Sequence, residues 1–342
     1  MRRPGRALIL AAIALLAGAC TSNGAASHDP GKVVLPAKQT TVAGNLYATK
    51  GRSLYRFSGT HLTPLLTGVK VKDPAVSADG TRLAFAQLQE QSSTIVLSDV
   101  DGKARQTITP SSGPEGALWA FSPSFSADAQ KLLYLTDRGK QPSSPRDLQP
   151  NDLAVWLYDA ASARSHRIAV PVAYTGGDSD PVFRPAASDQ VVYTTYLYGG
   201  VPLQPVARLT WMSSQTGASV SLSPERARDF QPAFSPNGRF LAFIRADSGR
   251  DDLYVMALGA SFGREPRPYP TEAAILLQSG MVSQPVWAPD GSAIAFLMLT
   301  RGSFDLFVLP VATSGTLRAS GPAQAVTHGS FLDADSRLAW SP

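Results

Sequence analysis

Apolar residues in this chain fall in short runs broken by turn formers, and the runs recur in one order. The copies read Pro74-Ala-Val-Ser-Ala-Asp-Gly-Thr-Arg-Leu-Ala-Phe85, Pro123-Ser-Phe-Ser-Ala-Asp-Ala-Gln-Lys-Leu-Leu-Tyr134, Pro181-Val-Phe-Arg-Pro with Val-Val-Tyr193, Pro232-Ala-Phe-Ser-Pro-Asn-Gly-Arg-Phe-Leu-Ala-Phe243 and Pro285-Val-Trp-Ala-Pro-Asp-Gly-Ser-Ala-Ile-Ala-Phe296. A sixth, Leu338-Ala-Trp-Ser-Pro342, stops at the last residue. In the copy at Pro232, Ala233-Phe-Ser is a short strand. Ser235-Pro-Asn-Gly238 suits a type I turn, with proline second and glycine fourth. Arg239 to Ile244 is extended again, Ser248-Gly-Arg-Asp turns the chain, Asp252 to Leu258 forms a third strand, and Ala274 to Gln278 a fourth. Four short antiparallel strands per repeat make a β-propeller blade.

The repeat starts at residues 74, 123, 181, 232, 285 and 338, steps of about fifty residues that fit long-bladed propellers. The long second step is explained by Arg138 to Pro150, a polar, proline-rich insertion. The truncated copy lacks three strands, and candidates stand at the front: Gly44 to Thr49, Ser53 to Phe57 and His61 to Leu66. The last blade should therefore take its inner strand from the C-terminus and its outer three from the N-terminus, which leaves no free sheet edge. The predicted fold is all-β, a six-bladed β-propeller of four-stranded antiparallel blades over residues 44–342. The phrase Pro-x-Phe/Trp-Ser-Pro-Asp/Asn-Gly followed by Asp-Leu-Tyr-Val resembles the repeat of TolB-type propellers. The copies at Pro123 and Pro181 depart from it, with Ala129 in place of glycine and with Pro185-Ala-Ala-Ser-Asp189. That resemblance implies a non-catalytic scaffold for protein–protein interaction in the cell envelope. The same propeller also occurs in peptidases and polysaccharide lyases, so the resemblance is more specific for fold than for function.

Composition agrees with an all-β chain: 28 glycines, 27 prolines and only 17% charged residues favour strands and turns over helices. Residues 1–19 read as a signal peptide, with Arg2, Arg3 and Arg6 preceding a short apolar stretch. Leu16-Ala-Gly-Ala-Cys20 resembles a lipoprotein lipobox, with alanine rather than leucine three places before the cysteine. It implies lipidation at Cys20, a membrane anchor and an extracytoplasmic location. Residues 20–43, polar and aperiodic, read as a tether. Cys20 is the only cysteine, which excludes an internal disulfide or a cysteine-based metal site. Loss of the three signal arginines reduces the net charge from +5 to +2, so nucleic-acid binding has no compositional support. A monomer with an envelope protein as partner and no cofactor is expected.

Candidate chemistry is sparse, and no catalytic or metal site is expected. Gly259-Ala-Ser261-Phe-Gly263 matches a nucleophile elbow, but Arg264-Glu-Pro-Arg-Pro-Tyr-Pro270 cannot begin the helix an elbow needs. His28, His61, His166 and His328 lack ligand spacing. Asp178-Ser-Asp180 and Asp333-Ala-Asp335 read as solvated turn residues. In Tyr193-Thr-Thr-Tyr196-Leu-Tyr198, alternation sends Tyr196 and Tyr198 to one sheet face. The residues preceding the inner strands, Asp73, Ser122, Asp180, Gln231, Gln284 and Arg337, should ring the channel mouth and are the candidate binding residues. The alternative function is a lyase-like enzyme that uses channel-mouth carboxylates and a divalent metal, with Asp73 and Asp180 as ligands.

Overall fold

Each copy of the repeat forms a four-stranded antiparallel sheet whose proline-led segment is the innermost strand. The computed structural model describes residues 41–140, 153–171, 176–185, 187–199, 204–258, 273–314 and 317–342. Six blades are arranged as a propeller, and the described residues contain no α-helix. The inner strands of blades 1 to 5 are Lys70–Val76, Ala120–Phe125, Gly177–Arg184, Asp229–Phe234 and Val282–Trp287. Blade 6 has the expected composite order: Ala339–Ser341, Val42–Lys50, Ser53–Gly59 and His61–Leu66. Its second strand begins two residues before the expected Gly44. The fourth strand of blade 4 is Ile275–Gln278, as the pattern suggested. The elbow-like Gly259–Gly263 string, the signal and lipobox residues and most of the Arg138–Pro150 insertion lie outside the described residues.

The core lies between the blades. Because successive side chains alternate across a strand, a blade that is apolar at both parities buries both faces. In blade 4, Leu241 and Phe243 pack against Val192, Leu209 and Trp211 of blade 3. Phe240, Ala242 and Ile244 pack the other way, against Ile294, Phe296 and Phe307 of blade 5. Each adjacent pair of blades has such a cluster, including the pairs made across the chain termini. Leu46 and Ala48 meet Ala295 and Leu297 of blade 5, while Tyr47 and Ala339 meet Leu83 and Phe85 of blade 1. Burying a Leu or Phe side chain is worth about 2 kcal/mol, so losing one interface removes many such contributions at once.

The Ser/Ala-x-Asp/Asn-Gly turns fit the type I reading, since Asp79, Asn237 and Asp290 at the third position have no positive φ. The amides of Gly80, Gly238 and Gly291 donate to the carbonyls three residues earlier, at 2.8–2.9 Å. Ser126 and Ser235 hydroxyls donate to Asp128 and Asn237 at 2.6 and 2.8 Å, and each accepts an amide from the following strand. Where glycine is missing, Ala129 still adopts a left-handed φ of 53°, so blade 2 keeps the turn at the expense of backbone strain.

The closing strand is short: only Asn45–Ser341, Leu46–Trp340 and Tyr47–Ala339 pair. Gly44 makes that approach feasible. Its φ is +73°, and a Cβ there would lie 2.2 Å from the Ser341 carbonyl oxygen. Gly44→Ala should lower unfolding stability by about 3 kcal/mol or more, combining left-handed strain with displacement of the closing strand. Gly51→Ala, at φ +55° with open space around it, should lose only the strain of about 1–2 kcal/mol. Urea unfolding of both variants checks the difference, and equal losses would show that the closure tolerates the added methyl.

Candidate functional site: an axial funnel

The inner strands converge on the propeller axis with a shared distortion. In blades 1 to 5 the residue before the repeat's first proline is Asp73, Ser122, Asp180, Gln231 or Gln284, and each has a left-handed φ of 50–55°. At each, the pairing with the second strand shifts register, for example between Lys72 and Ala75 and between Ser283 and Val286. Proline contributes no amide to the ladder, and a bulge with a left-handed residue re-aims the side chain. Five polar side chains are thus re-aimed by one device; Arg337 of blade 6 has no left-handed φ of this kind.

Much of this polar ring links neighbouring blades. Asp73 is buried; its Oδ2 accepts the Ser122 amide at 3.1 Å and its Oδ1 accepts the Arg337 amide at 3.1 Å. Its own amide donates to Ser336 Oγ at 2.9 Å, so one residue ties blade 1 to blades 2 and 6. Burial raises the Asp73 carboxyl above its ordinary range, against the opposing charge of Lys72 and the Arg337 amide. Gln231 Oε1 accepts the Gln284 amide at 2.8 Å, and Gln284 Nε2 donates to the Ala334 carbonyl at 3.1 Å. Arg337 reaches across the axis. Its Nη1 donates to the carbonyls of Pro123 and Pro181, both at 3.3 Å, and its Nε lies 4.0 Å from Asp180 Oδ1.

Above this ring the inner strands continue into an apolar funnel of about 370 Å³. Of the six expected residues, Asp180, Gln231, Gln284 and Arg337 line it, whereas Asp73 and Ser122 do not and serve the hydrogen-bonded clasp. Its wall, which the polar-ring reading missed, comes from other repeat positions. One tier is Val76, Phe125, Phe183, Phe234, Trp287 and Trp340; another is Pro185, Pro236, Pro289 and Pro342, with Ala78 and Ala127 in the remaining blades. Both tiers are the aromatic and the second proline of the repeat, residue types that strand and turn formation also call for. Rigid apolar walls over a few polar groups suit a ligand held mainly by shape and apolar contact.

The paired carboxylates differ from the expected solvated turns. Asp178 and Asp180 both lie within the inner strand of blade 3, Gly177–Arg184. Asp178 is 2% exposed, accepts Thr195 Oγ1 at 3.3 Å through Oδ1, and has no hydrogen-bond partner at Oδ2 among the described residues. Burial pushes it up to about 7, only partly offset by the Thr195 bond. Asp333 accepts the amides of Gly51 and Arg52 at 3.0 and 2.9 Å, capping a blade 6 turn. Asp335 is bound by both Nη atoms of Arg52 and by Lys72. Burial works against that ionised carboxylate, but the Arg52 bond and the Lys72 charge hold it below its ordinary range. His61, His166 and His328 are exposed on separate blades, and among the described residues no three His, Cys, Asp or Glu side chains are grouped to hold a metal ion. Tyr193 is consumed by the core between blades 2 and 3, while Tyr198 is 45% exposed.

Asp178 makes stability depend on pH. Its folded-state pKa lies above the unfolded value, so the native state holds the proton more tightly and stability falls as pH rises from about 4 to about 7, then levels off. A shift of that size corresponds to about 4 kcal/mol at most. Asp178→Asn should therefore be more stable than the parent at pH 8, with the gap closing towards pH 4. Denaturant unfolding at the two pH values measures it, and a pH-independent difference would refute the assignment.

No protein-family model matches the chain, and no curated protein is significantly similar in sequence. Solved structures are similar in fold. The crystal structure of TolB from Acinetobacter baumannii superposes with a TM-score of 0.62 at 15% identity, covering 87% of this chain and 67% of that one. A putative TolB from Agrobacterium tumefaciens gives 0.53 at 16% identity, with 72% and 83% covered. An oligogalacturonate lyase in complex with manganese gives 0.50 at 14% identity, with 78% and 69% covered. At these identities the likeness concerns architecture: in fold, the chain is a TolB-like six-bladed β-propeller.

Proposed function

We propose that the chain is a non-catalytic binding scaffold whose funnel receives an extended segment of an envelope protein, and that lipid at Cys20 holds it to a membrane outside the cytoplasm. The observation that carries this reading is the funnel itself, an apolar cavity of about 370 Å³ on a closed ring. Its polar floor is largely committed to main-chain groups, which favours holding a ligand over transforming one. A peptide offers what such a site takes: side chains for the aromatic and proline tiers, and main-chain groups for the other amide atoms of Gln231 and Gln284, Nε2 and Oε1. Anchoring would raise the local concentration of the scaffold at the membrane where its partner resides. The lyase-like alternative requires a cation held by Asp73 and Asp180. Both oxygens of Asp73 accept main-chain amides, so the ion would have to displace bonds that tie three blades together.

Two outcomes are expected. Cys20→Ala should move the protein from the membrane fraction to the soluble fraction, and retention in the membrane would refute lipid anchoring. A photo-crosslinking residue at Ala78, on the funnel rim, should trap an envelope protein in living cells, whereas the same residue at Ala161 on the outer edge of blade 2 should not. Ser124→Trp, which fills the cavity from its wall, should abolish the trapping. Equal trapping at Ala78 and Ala161, or trapping indifferent to Ser124→Trp, would remove the funnel as the binding site.

A further inference from the structure

The chain enters the described structure beside the funnel. The strand Val42–Lys50 runs antiparallel to Ala339–Ser341, which brings its first residues to the end of the closing strand. Trp340 Nε1 donates to the Ala43 carbonyl at 2.7 Å and Asn45 Nδ2 to the Pro342 carbonyl at 3.0 Å. Thr41 to Gly44 line a second cavity of about 460 Å³, whose other walls include Val308 and Pro310. Pro289, Trp340 and Pro342 line both this cavity and the funnel, so apolar surface runs from the point of entry towards the axis.

The sequence immediately upstream has matching chemistry. Lys32-Val-Val-Leu-Pro-Ala-Lys38 places a branched apolar run between two cations. Leu35 precedes Thr41 by six residues, a reach of about 20 Å when extended, and Pro36 biases Leu35 towards extended backbone. On the funnel side, exposed Asp79, Asp128 and Asp290 occupy the turns of blades 1, 2 and 5. Their carboxyls are held below the ordinary range, chiefly by hydrogen bonds from Ser77, Ser126 and Ser292, so three anionic groups stand in these turns at neutral pH, with Arg82 and Lys131 as the nearby cations. Apolar side chains would face the apolar side chains of the wall, and lysines the carboxylates of Asp79, Asp128 and Asp290.

We propose that Val33–Pro36 of the chain's own N-terminal segment docks in the funnel as an internal ligand that an incoming partner must displace. The inference rests on the funnel being a binding site. A covalently attached segment competes at high effective concentration, so it would weaken partner binding and favour partners able to fill the cavity better.

Disulfide trapping in the full chain tests this. In a Cys20→Ala background, Leu35→Cys is combined separately with Ala78→Cys, Ala127→Cys and, as control, exposed Ala161→Cys. Ala78 and Ala127 line the funnel, so their pairs should form intramolecular disulfides roughly tenfold or more faster than the Ala161 pair. Two rim positions guard against one unfavourable geometry or one poorly folded variant. Similar rates at all three positions, or disulfides only between two chains, would overturn the proposal. Failure of partner trapping at Ala78 with intramolecular disulfides intact would refute the envelope partner alone. Partner trapping without these disulfides would refute the internal ligand alone.

Discussion

Everything in this molecule depends on closing the ring. Each blade is apolar on both faces, so no blade can satisfy its own burial, and a linear array would leave one face of the first and last blades in water. Closure rests on three residue pairs between Ala339–Ser341 and the strand that begins at Val42. The short ladder is reinforced at its ends. Asn45 and Trp340 bond across the termini, and Asp73 receives the Arg337 amide from the closing segment. Leu338 and Ala339 also sit in the two clusters that flank blade 6. Few hydrogen bonds suffice because the gain lies mainly in the two apolar interfaces they bring together.

The same constraint shapes the axis. In five of the six inner strands the residue before proline is left-handed, and the pairing with the second strand shifts register there. Each such residue is strained for a non-glycine side chain. The strain is repaid locally, since Asp73 and Gln231 are thereby aimed at the amides of Ser122 and Gln284, their counterparts in the next blade. Arg337, reaching carbonyls of blades 2 and 3, closes the floor. Beside the funnel, the polar ring thus supplies bonds between neighbouring blades in addition to their apolar interfaces.

Legibility in the sequence followed the range of the interactions. The strands, their turns and the split blade were readable because they depend on residue order within one repeat. The blade 4 turn at Ser235 to Gly238 and the fourth strand near Ile275 came out as expected. Contacts between blades carried no such signature. Within a blade the Asp-Ser-Asp string, expected in a solvated turn, also fell elsewhere: it lies inside an inner strand, where Asp178 meets Thr195 of the neighbouring strand of blade 3. Asp73 and Arg337 were placed near the axis by spacing, but their mutual bond spans 264 residues, and nothing local encodes it. The funnel wall was written in the repeat and hidden by it, since an aromatic that recurs in five of the six copies also serves as core.

Where the copies differ, they give the funnel its shape. At the aromatic tier, blade 1 has Val76 where the others have phenylalanine or tryptophan, and at the proline tier blades 1 and 2 have Ala78 and Ala127. Six identical blades would make a symmetric cone with no preferred orientation for an asymmetric ligand. These substitutions instead open one side, next to Asp79 and Asp128, and leave the bulk of Trp287 and Trp340 on blades 5 and 6. Architecture comes from what the repeats share; the asymmetry of the funnel comes from the few positions where the shared phrase is broken.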